Sequence, residues 1–248
     1  MSPLLISLFI PFFAGLMTTI GYLPTYISKK HQEKVLAYSL SFSAGIMITV
    51  SIFSLLPEAK ELLRYYQEST WNLYFFFLLG IIFSRRMDHF LENQEKNAKL
   101  YQLGIFSVFT LILHNIPEGI TTFLTTTSNL KLGVSLSIAI ALHNIPEGII
   151  IAIPLFYATN NRKKAFFYTF IAGFSELLGA IIACIFLKEY FSLSLLGILL
   201  SITSGIMIDI SIRELLPNAF HYGKLKECGT GILLGSIIML FCIFIFKI

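Results

Sequence analysis

The sequence predicts an all-α integral membrane protein of eight transmembrane helices in a 3+2+3 arrangement, its first three spans related to its last three by an inverted repeat. Three observations carry this. Of 248 residues, 56% are hydrophobic and only 13% charged, with a mean hydropathy of +0.78, whereas a soluble domain carries about 25% charge. The apolar residues gather into eight stretches, most of them long enough to cross a bilayer. Two sequence patterns each occur twice.

The spans fall near 4–27, 35–57, 68–88, 100–125, 132–157, 165–187, 192–216 and 229–247. Crossing hydrocarbon about 30 Å thick takes about 20 helical residues. Lipid cannot satisfy open backbone groups, so the spans must be helices. Short connectors leave one membrane domain over 1–248 and no room for a soluble one. The third span is the leanest: WNLYFFFLLGIIF gives way at once to Ser84, Arg85 and Arg86, so its ends rely on snorkelling or on neighbours. The longest polar stretch, SRRMDHFLENQEKNAK at 84–99, reads as a loop with helical character. No basic region precedes the first apolar run, so no cleavable signal peptide is expected.

Orientation follows from the cations. Twelve of the 18 Lys and Arg lie in odd-numbered loops: Lys29, Lys30, Lys34, Arg85, Arg86, Lys96, Lys99, Arg162, Lys163, Lys164, Lys224 and Lys226. Five lie in even-numbered loops or at the C-terminal end: Lys60, Arg64, Lys131, Lys188 and Lys247. Arg213 falls inside a span. The positive-inside rule then puts odd loops in the cytoplasm and both termini outside, in a multi-pass plasma (inner) membrane protein. This bias accounts for the net charge of +4 without a nucleic-acid partner.

The first repeated pattern pairs GIMITVSIFSLLPEA at 45–59 with GIMIDISIRELLPNA at 205–219, ten of fifteen positions being identical. These lie in spans two and seven, which cross in opposite directions. Spans 1–3 would therefore mirror 6–8, with spans four and five as a central pair. Inverted repeats of this kind characterise transporter folds, with the binding site near the midplane.

The second pattern is HNIPEG, at 114–119 and 143–148. His114 and Glu118 are four residues apart and share a helix face, as do His143 and Glu147. Asn115 and Asn144 sit about 100° around from their histidines. Imidazole nitrogen with carboxylate oxygen suits zinc and other divalent first-row metals. Two such faces on antiparallel helices would supply two imidazoles, two carboxylates and two amide oxygens, enough for one metal or for two sharing carboxylates. Pro117 and Pro146 should free the carbonyls of Leu113 and Leu142 and kink each helix beside the polar set. Gly119 and Gly148 should let another helix approach closely.

Depth agrees with the pairing. Counted along the spans, His114, His143 and Glu176 lie about 21, 17 and 17 Å into the hydrocarbon. Glu176, in AGFSELLGA, is the only acid of span six, and an ionised carboxylate there needs a partner. It is the best additional ligand. Met47 could add a soft ligand but reads first as packing. Asp209, Arg213 and Glu214 read as a structural ion pair or gate latch. His31, His89 and His221 read as surface histidines. Cys184, Cys228 and Cys242 form no CxxC pair and support neither a disulfide framework nor a cysteine zinc site.

With these motifs in hand, the chain resembles the ZIP (Zrt/Irt-like) family of divalent metal transporters, and most its compact bacterial zinc-uptake branch. The resemblance covers essentially the whole chain: HNIPEG in span four, ALHNIPEG in span five, GFSE in span six, and GIM…LLP in spans two and seven. It implies His114, Asn115 and Glu118 as the ligands of span four, and His143, Asn144 and Glu147 as those of span five. Glu176 would complete a second, adjoining metal position. It further implies metal movement towards the cytoplasm by an elevator-like shift of a transport bundle against a scaffold. The long His-rich third loop of many eukaryotic members is absent, which leaves loop-based metal sensing without a basis here.

Zn2+ is the first expected substrate, with Fe2+, Mn2+, Co2+ and Cd2+ also suited to a His/Glu/Asn site. No enzyme activity and no catalytic cofactor are expected. Metal binding at such ligands releases protons, so uptake should be pH-sensitive. No GxxxxGK[ST] loop occurs, so flux runs down a metal gradient or couples to another ion. The expected partners are the lipid bilayer and the metal ions, and a homodimer is compatible with the sequence. A membrane di-metal oxidase and a passive metal channel would use the same residues.

Overall fold

Apolar runs of this length satisfy their own backbone as helices, and the structure, a computed structural model that describes residues 3–26, 32–92, 99–187 and 192–246, contains no strand among the described residues. Helix α1 (Pro3–Ile20) ends in a 3-10 turn at Leu23–Tyr26. Helix α2 (Gln32–Val50) passes through a π turn (Ser51–Leu55) into α3 (Leu56–Tyr65). Then come α4 (Thr70–Glu92), α5 (Lys99–Ser128), α6 (Leu130–Thr159) and α7 (Arg162–Ile182), the last extended by a π turn at Ala183–Leu187. Helix α8 (Leu193–Ile210) continues through a π turn (Ser211–Leu215) into α9 (Leu216–Tyr222), and α10 (Leu225–Phe246) closes the chain. Lys29, Lys30, His31, Lys96, Lys188 and Lys247 lie outside the described residues, as does most of the polar stretch after Glu92.

Six helical stretches among the described residues are long and apolar enough to cross a membrane: Leu4–Tyr26, Glu33–Tyr65, Leu136–Thr159, Arg162–Phe186, Ser194–Tyr222 and Leu225–Ile245. Burial ranks them. In α6 71% of the apolar window is buried, against 28% in α10, which marks α6 as central and α10 as peripheral.

The two π turns at 51–55 and 211–215 have a common cause. Each immediately precedes Leu-Pro, and a proline lacks the N–H for the residue four before it and crowds that carbonyl. A single wider turn relieves the clash while the helix continues. Ser51 Oγ donates to Met47 O at 2.8 Å, and Ser211 Oγ donates to Met207 O at 2.7 Å, filling acceptors at the same place in both copies. The helices thus run on past Pro57 and Pro217, to Tyr65 and Tyr222. Pro117 and Pro146 likewise lie inside uninterrupted helix.

Helices α1, α5, α6 and α7 pack chiefly on one another: α5 on α6 and α7, and α1 on the same two. In the remaining set, α2 pairs with α10, α4 with α8, α3 with α8 and α2 with α9. The main apolar core lies in this second set, where Met47 and Met207 are fully buried beside Leu36, Leu40, Leu63 and Leu215. The sets meet where α2 lies on α6 and α5 on α8. One close crossing within the first set is α1 on α7, where glycine meets glycine. A Cβ on Gly15 would stand 2.2 Å from Gly173 O, and one on Gly173 would stand 2.1 Å from Gly15 O. Only glycine at both positions permits that backbone separation.

Candidate metal centre

Helix periodicity puts His114, Asn115 and Glu118 on the inward side of α5, and His143, Asn144 and Glu147 on that of α6. All six are at most 5% exposed, and Glu176 of α7 is fully buried. Seven polar side chains from three adjacent helices therefore occupy the interior of the first helix set.

Their contacts cross between the motif copies. Nε2 of His143 (α6) lies 3.2 and 3.4 Å from the two carboxylate oxygens of Glu118 (α5). Nε2 of His114 lies 3.2 Å from Oε1 of Glu118 and 3.2 Å from Oε1 of Glu147, without hydrogen-bond alignment to either. His114, His143 and Glu147 each present a ligand atom within 4.8 Å of the others. Around a four-coordinate zinc, with bonds of about 2.0–2.2 Å, such atoms would stand about 3.4 Å apart. The group needs to contract by no more than about 1.4 Å to grip one ion.

The asparagines are fixed by backbone on neighbouring helices. Asn115 Nδ2 donates to Ala172 O at 3.0 Å, and Asn144 Nδ2 donates to Ala14 O at 2.9 Å. Asn144 Nδ2 also donates to Glu176 Oε2 at 2.8 Å, so Glu176 joins the cluster through an amide rather than an imidazole. Both asparagine Oδ1 atoms make no hydrogen bond, nor do Nδ1 of His114 and of His143, Oε1 of Glu176, or the carboxylate oxygens of Glu147, whose Oε1 has only the unaligned approach of His114 Nε2. An unpaired buried polar atom costs about 1–3 kcal/mol. Gathered in one place, such atoms are a ligand set for a cation.

The anchoring carbonyls escaped the sequence reading, although a signal was present: Ala-Gly at 14–15 in α1 and again at 172–173 in α7. The other polar features lie elsewhere. Asp209, 4% exposed, receives Arg85 of α4 at 3.3 Å as well as Arg213 at 3.2 Å. Met47 packs in the main core, beside a small cavity at the α2–α6 and α5–α8 seams lined also by Ser107, Leu111, Ile210 and Glu214. His221 is exposed at the end of α9 against Tyr222. The side chain of His89 is outside the described set. All three cysteines are free.

Comparison with known proteins agrees with the cluster. The sequence profile described as "ZIP Zinc transporter" matches residues 91–243, more than half of the chain and the whole of α5 to α9. A protein named zinc transporter ZupT from Chlorobium chlorochromatii is 40% identical, the match covering 94% of this chain and 95% of that one. The chain belongs to the ZIP family. Further relatives with the same name come from Clostridium perfringens, 36% identical over 99% of this chain and 98% of its own, and from Streptococcus mutans, 35% identical over 94% of each. The ZIP profile thus spans both HNIPEG copies and Glu176, and the relatives match almost end to end.

Proposed function

We propose that this protein takes up divalent transition-metal ions, Zn2+ first, into the cytoplasm by alternating access through the site built from His114, Asn115, Glu118, His143, Asn144, Glu147 and Glu176. One observation carries the reading: two imidazoles and two carboxylates from two repeated motifs converge in the buried interior, among polar atoms that make no hydrogen bond. Its relatives, named as zinc transporters, support the substrate class. A hydrated ion entering from outside would trade water for imidazole, carboxylate and amide oxygen. The Asn144–Glu176 pair offers the adjoining position for a second ion.

The topology belongs to the same proposal. Helices α4 and α5, of 23 and 30 residues, cross as well, which makes eight spans with both termini outside. The matched packings support an inverted repeat: α1 on α6 answers α5 on α7, and α2 on α10 answers α4 on α8. The set α1, α5, α6 and α7 carries the metal site and slides as a unit against the set α2–α3, α4, α8–α9 and α10.

Purified protein in liposomes loaded with a zinc-sensitive dye tests this. Saturable Zn2+ influx that Glu147→Ala abolishes, with Fe2+ and Mn2+ competing and Mg2+ not, is the expected result. Well-folded protein without metal flux, but with bound iron and metal-dependent oxygen consumption, would replace the transporter with the di-metal oxidase. Non-saturating flux would replace the carrier with a channel.

A further inference from the structure

Away from the metal centre, a cavity of about 580 Å³ opens between the 3-10 turn after α1 and the first turns of α7. Its lining carries three consecutive cations from the first turn of α7, Arg162, Lys163 and Lys164, and no carboxylate. Arg162 is held in place: its Nε donates to Thr25 O at 3.3 Å, and its guanidinium lies 4.7 Å from the Tyr26 ring and 4.9 Å from that of Phe156. Tyr22 adds a second phenol, packed edge-on against Phe166 at 5.3 Å. Past the cations along α7 the lining is apolar, with Phe166 43% and Phe167 57% exposed.

We infer that this cavity binds an anionic phospholipid, its phosphate among Arg162, Lys163 and Lys164 and an acyl chain along Phe166 and Phe167. The inference rests on the reading that α1 and α7 cross the bilayer with this end at the cytoplasmic leaflet, the anionic one. Along α7 the cations at 162–164 come first and the exposed phenylalanines at 166–167 a turn later, with Tyr26 against Arg162 and Tyr22 against Phe166, which matches the order of chemistry across a leaflet: phosphate, interface, hydrocarbon. Arg suits phosphate by its planar fork, and a guanidinium already fixed by two rings loses little freedom on binding. A free inorganic anion would use only the cationic part of the cavity. The repeat does not impose the cluster either, since the corresponding start of α1 reads Pro3-Leu4-Leu5.

Native mass spectrometry of the full chain, equilibrated in mixed micelles of phosphatidylglycerol and phosphatidylcholine, reads the site directly. Wild type should retain phosphatidylglycerol over phosphatidylcholine. Lys163→Gln with Lys164→Gln should cut that retention by about fivefold per charge removed, with phosphatidylcholine unchanged. Phe167→Ala, with all three cations intact, should also weaken it. Millimolar inorganic phosphate should not displace the lipid. Equal phosphatidylglycerol retention by wild type and the double variant, equal retention of the two lipids by wild type, or displacement by phosphate would overturn the inference. Zinc influx measured in parallel keeps the readings apart. Lipid retention without influx by wild type sinks only the transport reading, and influx without selective retention sinks only this one.

Discussion

Nε2 of His143 lies 3.2 Å from Oε1 of Glu118, so the histidine of one HNIPEG copy meets the glutamate of the other. Helix periodicity alone pairs His114 with Glu118 and His143 with Glu147. The packed structure instead builds one shared cluster, in which Glu118 faces both imidazoles.

Sharing sets the first prediction. Loss of residues that merely orient metal ligands already costs about 10–100-fold. His143→Ala should therefore lower zinc influx by more than about 100-fold, and Glu118→Ala should do the same although it leaves the other copy intact. Vesicle influx at matched protein density checks this. A half-active Glu118→Ala would mean two independent sites.

Asn144 bridges Ala14 O and Glu176 through one amide nitrogen. Asn144→Asp keeps the shape but puts a second carboxylate against Glu176. It should lower thermal stability and reduce influx, with a buried unpaired charge costing about 3–5 kcal/mol. Glu176→Gln added to Asn144→Asp should recover much of the stability. Unfolding of the wild type and these two variants in detergent gives the comparison.

Asp209 is shared by Arg85 and Arg213. Arg85 has 59% and Arg213 36% of its side chain exposed, so water screens both pairs and removing either arginine should cost only about 0.5–1 kcal/mol. Removing both strands a buried carboxylate, and the combined loss should reach about 3 kcal/mol, more than additive. A double-mutant cycle on thermal unfolding measures the coupling. Strict additivity would mean that Asp209 has other support.

Close backbone approach frames the metal helices. A Cβ on Gly119 would lie 1.8 Å from Glu176 O, and one on Gly148 would lie 1.8 Å from Thr18 O. Gly119→Ala and Gly148→Ala should each destabilise by at least about 1–3 kcal/mol. Gly229→Ala in α10 meets nothing within 4 Å and should stabilise by about 0.5–1 kcal/mol through helix propensity. Detergent melting curves rank the three.

The sequence made much of this visible, for physical reasons that also mark where it stopped. Apolar length announces helices because lipid permits little else, and HNIPEG announces a site because polar groups in hydrocarbon need a use. The reach of α2–α3 and α8–α9 past Pro57 and Pro217 was hidden. Proline and the charges after it read as a loop, whereas a π turn lets the helix continue. The Arg85–Asp209 contact joins residues 124 positions apart, and no local pattern carries it. Glu118 facing both histidines depends on how α5 and α6 rotate against each other, a property of packing. The carbonyls of Ala14 and Ala172 are backbone atoms, so residue identity announces them only through the repeated Ala-Gly that allows the helices close.

The central claim is that the two HNIPEG copies make one metal site. Zinc K-edge X-ray absorption on the zinc-loaded protein measures it most directly. The account predicts a nitrogen and oxygen shell at about 2.0–2.2 Å with no sulfur, and an imidazole signature that weakens by one ring in His114→Ala and by one ring in His143→Ala. A sulfur shell at about 2.3 Å, or an imidazole signature that survives either substitution undiminished, would contradict it.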